Sequence, residues 1–299
     1  MVQSEGIKRI IGTVPIEDDG SVNFNAPSGV ALHFQLLDEN HRALQTMRSF
    51  TGVQPGESRG CVGCHETMQR APVAISNGKA MRRPPSHITP VPWDDISVSY
   101  ERYVQPALDK HCGKCHQNPE HEAFATFDAT LRPGFLGFKE PYITLLGSPT
   151  WGAPYRQWAN PPGGFGWADT MMVEAFDQRD PVAYSTFAPM TKLSYKSRLV
   201  DRMASGKHHG VVVDPENLLR VILWVDAMGP YYGAEEVRQM ADPIFQGRDW
   251  ISQPPRVMTA PIVQRPGPFD PFFVDAAYDP PGEGCINALP FGVVRKPVE

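Results

Sequence analysis

The chain lacks the features that would tie it to a membrane or to a polyanion. Its most apolar stretch, Leu218 to Met228, is short and broken by Arg220 and Asp226, far below the roughly 18 apolar residues of a membrane span, so no membrane insertion is expected. Charge of neither sign dominates. The 28 Lys and Arg against 33 Asp and Glu leave a net charge of -5, and no basic run gives phosphates a track to follow, so nucleic acid is not an expected partner. A Ser/His/Asp order, a phosphate-binding loop and a dinucleotide glycine pattern are also missing. The Gly163-Gly164-Phe165-Gly166 run has no strand, lysine or helix around it that would make it one. Hydrolase and nucleotide-dependent functions are left without support.

Proline and glycine, by contrast, are plentiful. The 31 Pro and 26 Gly in 299 residues predict much irregular backbone between short elements, over two or three compact units. Cysteine is scarce but pointed. Four of the five fall in Cys61-Val62-Gly63-Cys64-His65 and Cys112-Gly113-Lys114-Cys115-His116, two copies of the pattern that attaches haem covalently. The spacing follows from the chemistry: two thiols two residues apart reach the two vinyl groups of one porphyrin, and the adjacent imidazole ligates its iron. One copy alone would also read as a zinc knuckle or a thioredoxin-like redox pair. Zinc is the main competing reading of two copies, but it expects paired cysteines separated by roughly 15 to 20 residues, whereas Cys64 and Cys112 are 48 apart and each pair is followed by histidine. Two covalently bound c-type haems are the expected cofactors, held by Cys61, Cys64, His65, Cys112, Cys115 and His116.

Haem of this type is normally attached outside the cytoplasmic membrane, yet Met1 to Gly6 has no basic start and no apolar core of a signal peptide. The expectation is a periplasmic or otherwise exported protein, of which this chain is the C-terminal part of a longer one or has had its signal removed.

The fold class expected is α+β: a small N-terminal antiparallel β-module followed by irregular, mainly α, cytochrome c-like haem-binding domains. Ile11 to Ile16, a turn at Asp18-Asp19-Gly20, Ser21 to Phe24, a turn at Pro27-Ser28-Gly29 and Val30 to Leu37 read as strands and turns. That module spans 1–55. Residues 56–95 hold the first motif and a Pro-rich stretch from Pro72 to Pro92, a linker or a loop wrapped around haem. Residues 96–245 form the second haem domain. There Tyr100, Tyr103, Val104, Ala107 and Leu108 predict a helix running into the second motif, with Pro106 at its first turn or at a kink. A helix over roughly Ser194 to Ser205 should end at Gly206 and deliver Lys207-His208-His209 into a loop. Another should be capped by Asp214, carry Pro215 at its first position and stop at Gly229-Pro230. Met203 and Met228 read as core residues on helical faces. The stretch Gly134 to Trp167, with Trp151, Tyr155, Trp158 and Trp167, either covers a haem edge or packs under irregular loops. The Pro-rich tail, 246–299, is expected to be extended. Its Cys285, without a partner by count, reads as a buried free thiol, a metal ligand or an intermolecular link.

Beyond these patterns, Gly12-Thr-Val-Pro-Ile16, Asp19-Gly-Ser21, Phe34-Gln-Leu-Leu-Asp38, Met47-Arg-Ser49, Gln54-Pro-Gly-Glu57 and Cys61-Val-Gly-Cys-His-Glu66 resemble the middle domain of hydrazine synthase alpha subunits and their planctomycete-type multihaem relatives. The stretches Val104 to Cys112, Gly206-Lys-His-His-Gly-Val211 and Trp224 to Gly233 are similar to the C-terminal cytochrome c domain of the same proteins. The resemblance covers about residues 8 to 240.

The resemblance implies a C-terminal haem held between two histidines, by position His116 and His208, with His209 as the alternative. Read from the residues alone, Met190 is a further alternative, and the choice matters because a Met/His pair raises the potential. In the family the middle-domain haem is ligated by a tyrosine and the motif histidine turns toward zinc. This chain departs from that pattern, because Glu66-Thr67-Met68-Gln69-Arg70 follows His65 with no tyrosine. His65 is then the expected iron ligand, and the sixth site is open or filled by Met68, His33 or His87. Zinc near the first haem is a further implication of the family. Family members also carry a β-propeller upstream, for which this chain has no room.

Three functions follow. The first is electron transfer by a dihaem c-type cytochrome between redox partner proteins or other subunits. The second is a haem oxidoreductase of small nitrogen compounds with an open iron at the first haem. The third is a structural module that keeps haem or zinc as a staple. Electron transfer is the primary expectation.

Overall fold

In the computed structural model the described residues are 7–47, 49–63, 78–93, 97–134, 138–146, 166–168, 170, 187–234 and 236. Strands β1 (Gln35–Leu37) and β2 (Ala43–Thr46) pair antiparallel, with Gln35 opposite Thr46 and Leu36 opposite Gln45. Their connection is closed by Asp38, whose carboxylate accepts from the N–H groups of Asn40 (2.9 Å) and Arg42 (2.8 Å), an Asx turn of the kind aspartate favours.

The earlier segments expected as strands make single pairings instead. Arg9 pairs with Ser97, Thr13 with Thr89, Phe24 with Ser86 and Leu32 with Thr51. Proline explains why these contacts do not grow into ladders. Pro15, Pro27, Pro84, Pro85, Pro90 and Pro92 flank them, and a residue with no N–H cannot donate to a ladder. The described part of the Pro-rich stretch therefore lies against the β-module. The turn at Asp19 reaches it too: its carboxylate accepts from the N–H of Ser21 (3.0 Å) and of Lys79 (2.7 Å), at the start of a 3-10 turn over Lys79–Arg82.

The rest of the described chain is helical and irregular, so the architecture is α+β. Tyr100–Tyr103 (α1) and Gln105–His111 (α2) are separated by a break at Val104, with Pro106 in the first turn of α2, where a missing N–H costs nothing. Gly113–His116 (α3), Glu122–Thr126 (α4) and Glu140–Leu146 (α5) follow. Ser197 caps Arg198–Ser205 (α6) by accepting from the N–H of Val200, and Gly206 ends it with φ 63°, the left-handed conformation that closes many helices. Asp214 caps Pro215–Asp226 (α7) by accepting from the N–H of Asn217.

The core gathers around α1, α5 and α7. Tyr100, Tyr142, Trp224 and Tyr231 form a cluster in edge-on and stacked contacts with ring centres 4.7 to 6.2 Å apart. Each polar handle is met, as burial demands: the Trp224 indole donates to Pro230 O (2.9 Å), Tyr142 to Gly229 O (3.0 Å) and Tyr100 to Gln105 (2.8 Å). Met203 packs into this core, with Met228 partly buried against it.

A buried carboxylate joins the hairpin to the helices. Asp226, at the end of α7, accepts from the N–H of Ala43 in β2 (3.0 Å), from the N–H of Ser194 (2.9 Å) and from the Ser194 hydroxyl (2.9 Å). Gln35 in β1 donates to the Asp226 carbonyl (2.9 Å) and Tyr195 to Asp38 (2.6 Å). Among the described residues no helix is long and apolar enough to cross a membrane.

Candidate haem-binding site

The second motif is presented by helix. The N–H of Cys112 bonds to Leu108 O (2.8 Å) at the end of α2, and the N–H groups of Cys115 and His116 both reach Cys112 O (3.2 and 2.9 Å). One helical turn thus carries both thiols, and residues three apart on a helix share a face. Both cysteines are unpaired and partly buried. Loss of solvent, with Cys115 alongside, pushes the Cys112 thiol up to about 11.

His116 is oriented from behind. Its Nδ1 lies 2.9 Å from Phe127 O, and because a carbonyl only accepts, Nδ1 carries the proton and Nε2 keeps its lone pair. Phe127 is placed by α4, which begins where the N–H of Ala123 bonds to the His121 ring (3.1 Å) and ends at Phe127 as its C-cap. The Phe127 ring lies 5.4 Å from the imidazole. Ala129 closes the loop by donating to His116 O (2.8 Å).

Opposite stands His208. After Gly206, the Val211 N–H bonds to His208 O (3.0 Å) across His209 (φ 50°) and Gly210 (φ 71°). Two positive φ angles inside an i to i+3 bond make a type I′ turn. It presents His208 with its ring 6.0 Å from that of His116 and only 15° from parallel. His209 lies 4.8 Å from His208 at 76° and is exposed. Burial, then the charge of Arg202, then His209 and His116 hold the His208 ring below its ordinary value. Its neutral, lone-pair form is favoured.

This spacing fits one metal ion between two rings. An imidazole nitrogen sits about 2.0–2.1 Å from a bound metal, so rings ligating one ion from opposite sides have centres about 6 Å apart. The donor set is correspondingly spread. Among the described residues no three His, Cys, Asp or Glu side chains converge as a metal site.

Other residues named from the sequence are placed elsewhere. Met190, half-exposed with φ 60°, donates its N–H to Leu44 O (2.8 Å) on the hairpin. The His33 ring is taken up by Met47 O (2.8 Å) and the Thr46 hydroxyl (3.3 Å), and His87 is exposed. At the first motif Cys61, Val62 and Gly63 are exposed. The approach to it is braced by Glu57, which accepts from the N–H of Gln54 (2.8 Å) and from Arg59 (2.8 Å). Cys64, His65, Met68, Trp151, Tyr155, Trp158 and Cys285 lie outside the described residues. Trp167 lies against α6, its carbonyl accepting from the N–H of Leu199 (2.8 Å). Two contributors went unread in the sequence. Phe127 acts through a backbone carbonyl that no residue pattern reveals. Arg202, whose Nη1 is 3.4 Å from His208 Nδ1, had one signal, its place on the same helix face as Arg198.

No curated protein and no solved structure matches the chain. The model of one family does, the hydrazine synthase alpha subunit middle domain, over residues 2–66, a stretch that contains the whole β-hairpin and the first Cys-x-x-Cys-His motif. The second half of the chain, with the opposed histidines, lies outside that match. Over residues 2–66, then, this chain is similar to the middle domain of hydrazine synthase alpha subunits.

Proposed function

We propose that the chain is an exported, periplasmic dihaem c-type cytochrome whose work is electron transfer with redox partner proteins or other subunits. The observation that carries this reading is the near-parallel opposition of His116 and His208 at 6.0 Å. At the second motif Cys112 and Cys115 would hold the group through thioethers, and His116 and His208 would ligate its iron, with His209 and Met190 as the alternatives. A haem bound in this way supplies one-electron ferric–ferrous chemistry. The chain does the rest: the Phe127 carbonyl fixes the His116 tautomer, the turn after Gly206 aims His208, and the Phe127 ring packs beside the His116 imidazole. With both histidines engaged, a substrate would find no open ligand position there, which supports an electron carrier for this half of the molecule.

By the same pattern Cys61, Cys64 and His65 would hold the first haem, with zinc near it as a lesser possibility. One observation favours a second reading there, a haem oxidoreductase acting on small nitrogen compounds through an open coordination site: the first motif falls inside the stretch that matches a hydrazine synthase domain. The experiment is absorption and low-temperature EPR spectroscopy, with a pyridine haemochrome count, on protein produced with a c-type haem maturation system. Two low-spin haems per chain support electron transfer. One low-spin haem and one high-spin haem that binds nitric oxide favour the oxidoreductase. No covalent haem overturns both and leaves the structural zinc module.

A further inference from the structure

We infer that Arg202 raises the reduction potential at the second motif by holding a permanent positive charge against the distal imidazole. This rests on the reading of His116 and His208 as the axial pair. Arg202 lies on α6, and its Nη1 is 3.4 Å from His208 Nδ1. Its guanidinium carbon sits 4.5 Å from the centre of the Trp167 ring, a cation–π contact that restrains the long side chain. Trp167 is itself fixed to the start of α6, its carbonyl accepting from the N–H of Leu199 (2.8 Å) and from the Ser197 hydroxyl (3.4 Å). The acid beside it on the helix, Asp201, pairs with Arg42 instead (3.1 Å). Among the described residues Arg202 makes no ion pair.

The two imidazoles are therefore backed by opposite chemistry. His116 gives its Nδ1 proton to the Phe127 carbonyl at 2.9 Å, an outer contact that increases ligand basicity and strengthens Nε2 as a donor. With Nε2 given to the iron, the His208 proton would sit on Nδ1, and the guanidinium facing it, with five donors and no acceptor, would act there as a charge and not as a hydrogen-bond partner. His208 receives no such push, and the neighbouring charge opposes the extra positive charge of the ferric state. Both effects favour the ferrous state. Arginine stays protonated at all ordinary pH values, so the bias is constant where a histidine or lysine would titrate. Arg202 is exposed, so salt should weaken the bias.

The test is a mediated reductive titration, with dithionite supplying one electron per iron, on the haem-loaded full chain and on Arg202→Gln and Arg202→Lys, at low and high ionic strength. Removing the charge in Arg202→Gln should raise the ferric-to-ferrous ratio of one haem about tenfold at a fixed potential, which for a one-electron couple is a fall of about 59 mV. Arg202→Lys should recover more than half of it, and high salt should shrink the difference. An unchanged potential in Arg202→Gln, with low-spin spectra intact, overturns the inference and leaves the axial pair standing. Loss of the low-spin signature in that variant assigns Arg202 to holding His208 in place and overturns tuning. A methionine-ligated or high-spin second haem in the unaltered protein overturns the axial pair, and the inference falls with it.

Discussion

At the scale of single residues, the pairing of His116 with His208 separates two adjacent histidines that composition cannot tell apart. The His208 ring faces His116 near-parallel at 6.0 Å, while His209 occupies a left-handed position in the turn and is exposed. If the second motif carries the proposed haem, His208→Ala should convert it from low-spin to high-spin, and His209→Ala should leave the spectrum as it was. EPR of the two variants checks this, and the opposite result would exchange their roles. The two Cys-x-x-Cys-His motifs were legible in the sequence, because the residues of each are contiguous. Which histidine faces His116 was legible only as a preference, because that depends on the φ angles of His209 and Gly210. The Phe127 carbonyl was not legible at all, since every residue carries one.

Elements follow the same division. The end of α6 and the start of α7 could be read because Gly206, Asp214 and Pro215 are chemically suited to helix ends, whereas α6 begins at Arg198 after the Ser197 cap and not at Ser194. The N-terminal strands could not, because alternation in a short segment does not say whether proline in its neighbours will stop the ladder. Gly206 has φ 63° and open space where a Cβ would stand. Gly206→Ala should therefore cost about 1 kcal/mol from backbone conformation alone, readable as a lower melting temperature, with some loss of His208 aim. Asp214 caps α7 while accepting from Lys110 and His111, both at 2.8 Å. Lys110, with the Asn217 N–H, holds its carboxyl far below the usual range. A depressed value in the folded state means that its contribution is present above about pH 4 and is lost as acid protonates it. Asp214→Ala should lower the melting temperature at pH 7, and the gap to the unaltered protein should narrow toward pH 2.

Across the whole molecule, hairpin and helices meet at Asp226. Burial pushes this carboxyl up to about 6, against the pull of Ser194 and Ala43. The sign is opposite to that of Asp214. A value raised above the ordinary carboxylate range favours the protonated folded state, so stability from this group is greatest below about pH 4 and declines as pH climbs through 6. Asp226→Asn should abolish that decline, because the amide does not titrate. It should also set an NH2 against groups that only donate to it, leaving buried donors unmet at about 1–3 kcal/mol each. Melting curves between pH 4 and 7 test both effects, and an undiminished slope in the variant would assign the pH dependence to another group. If the joint holds hairpin and helices as one cooperative unit, calorimetry of the unaltered protein should give a single transition and Asp226→Ala two.

The two aspartates stand at opposite ends of α7, twelve residues and so about 18 Å apart. One grips the residues just before Cys112, the other grips the hairpin. Helix α7 is in effect a gauge block between the β-module and the second Cys-x-x-Cys-His motif, its length counted in turns. Because each added or deleted residue would swing one carboxylate about 100° away from its partners, relatives that keep both grips should vary this helix only by whole turns.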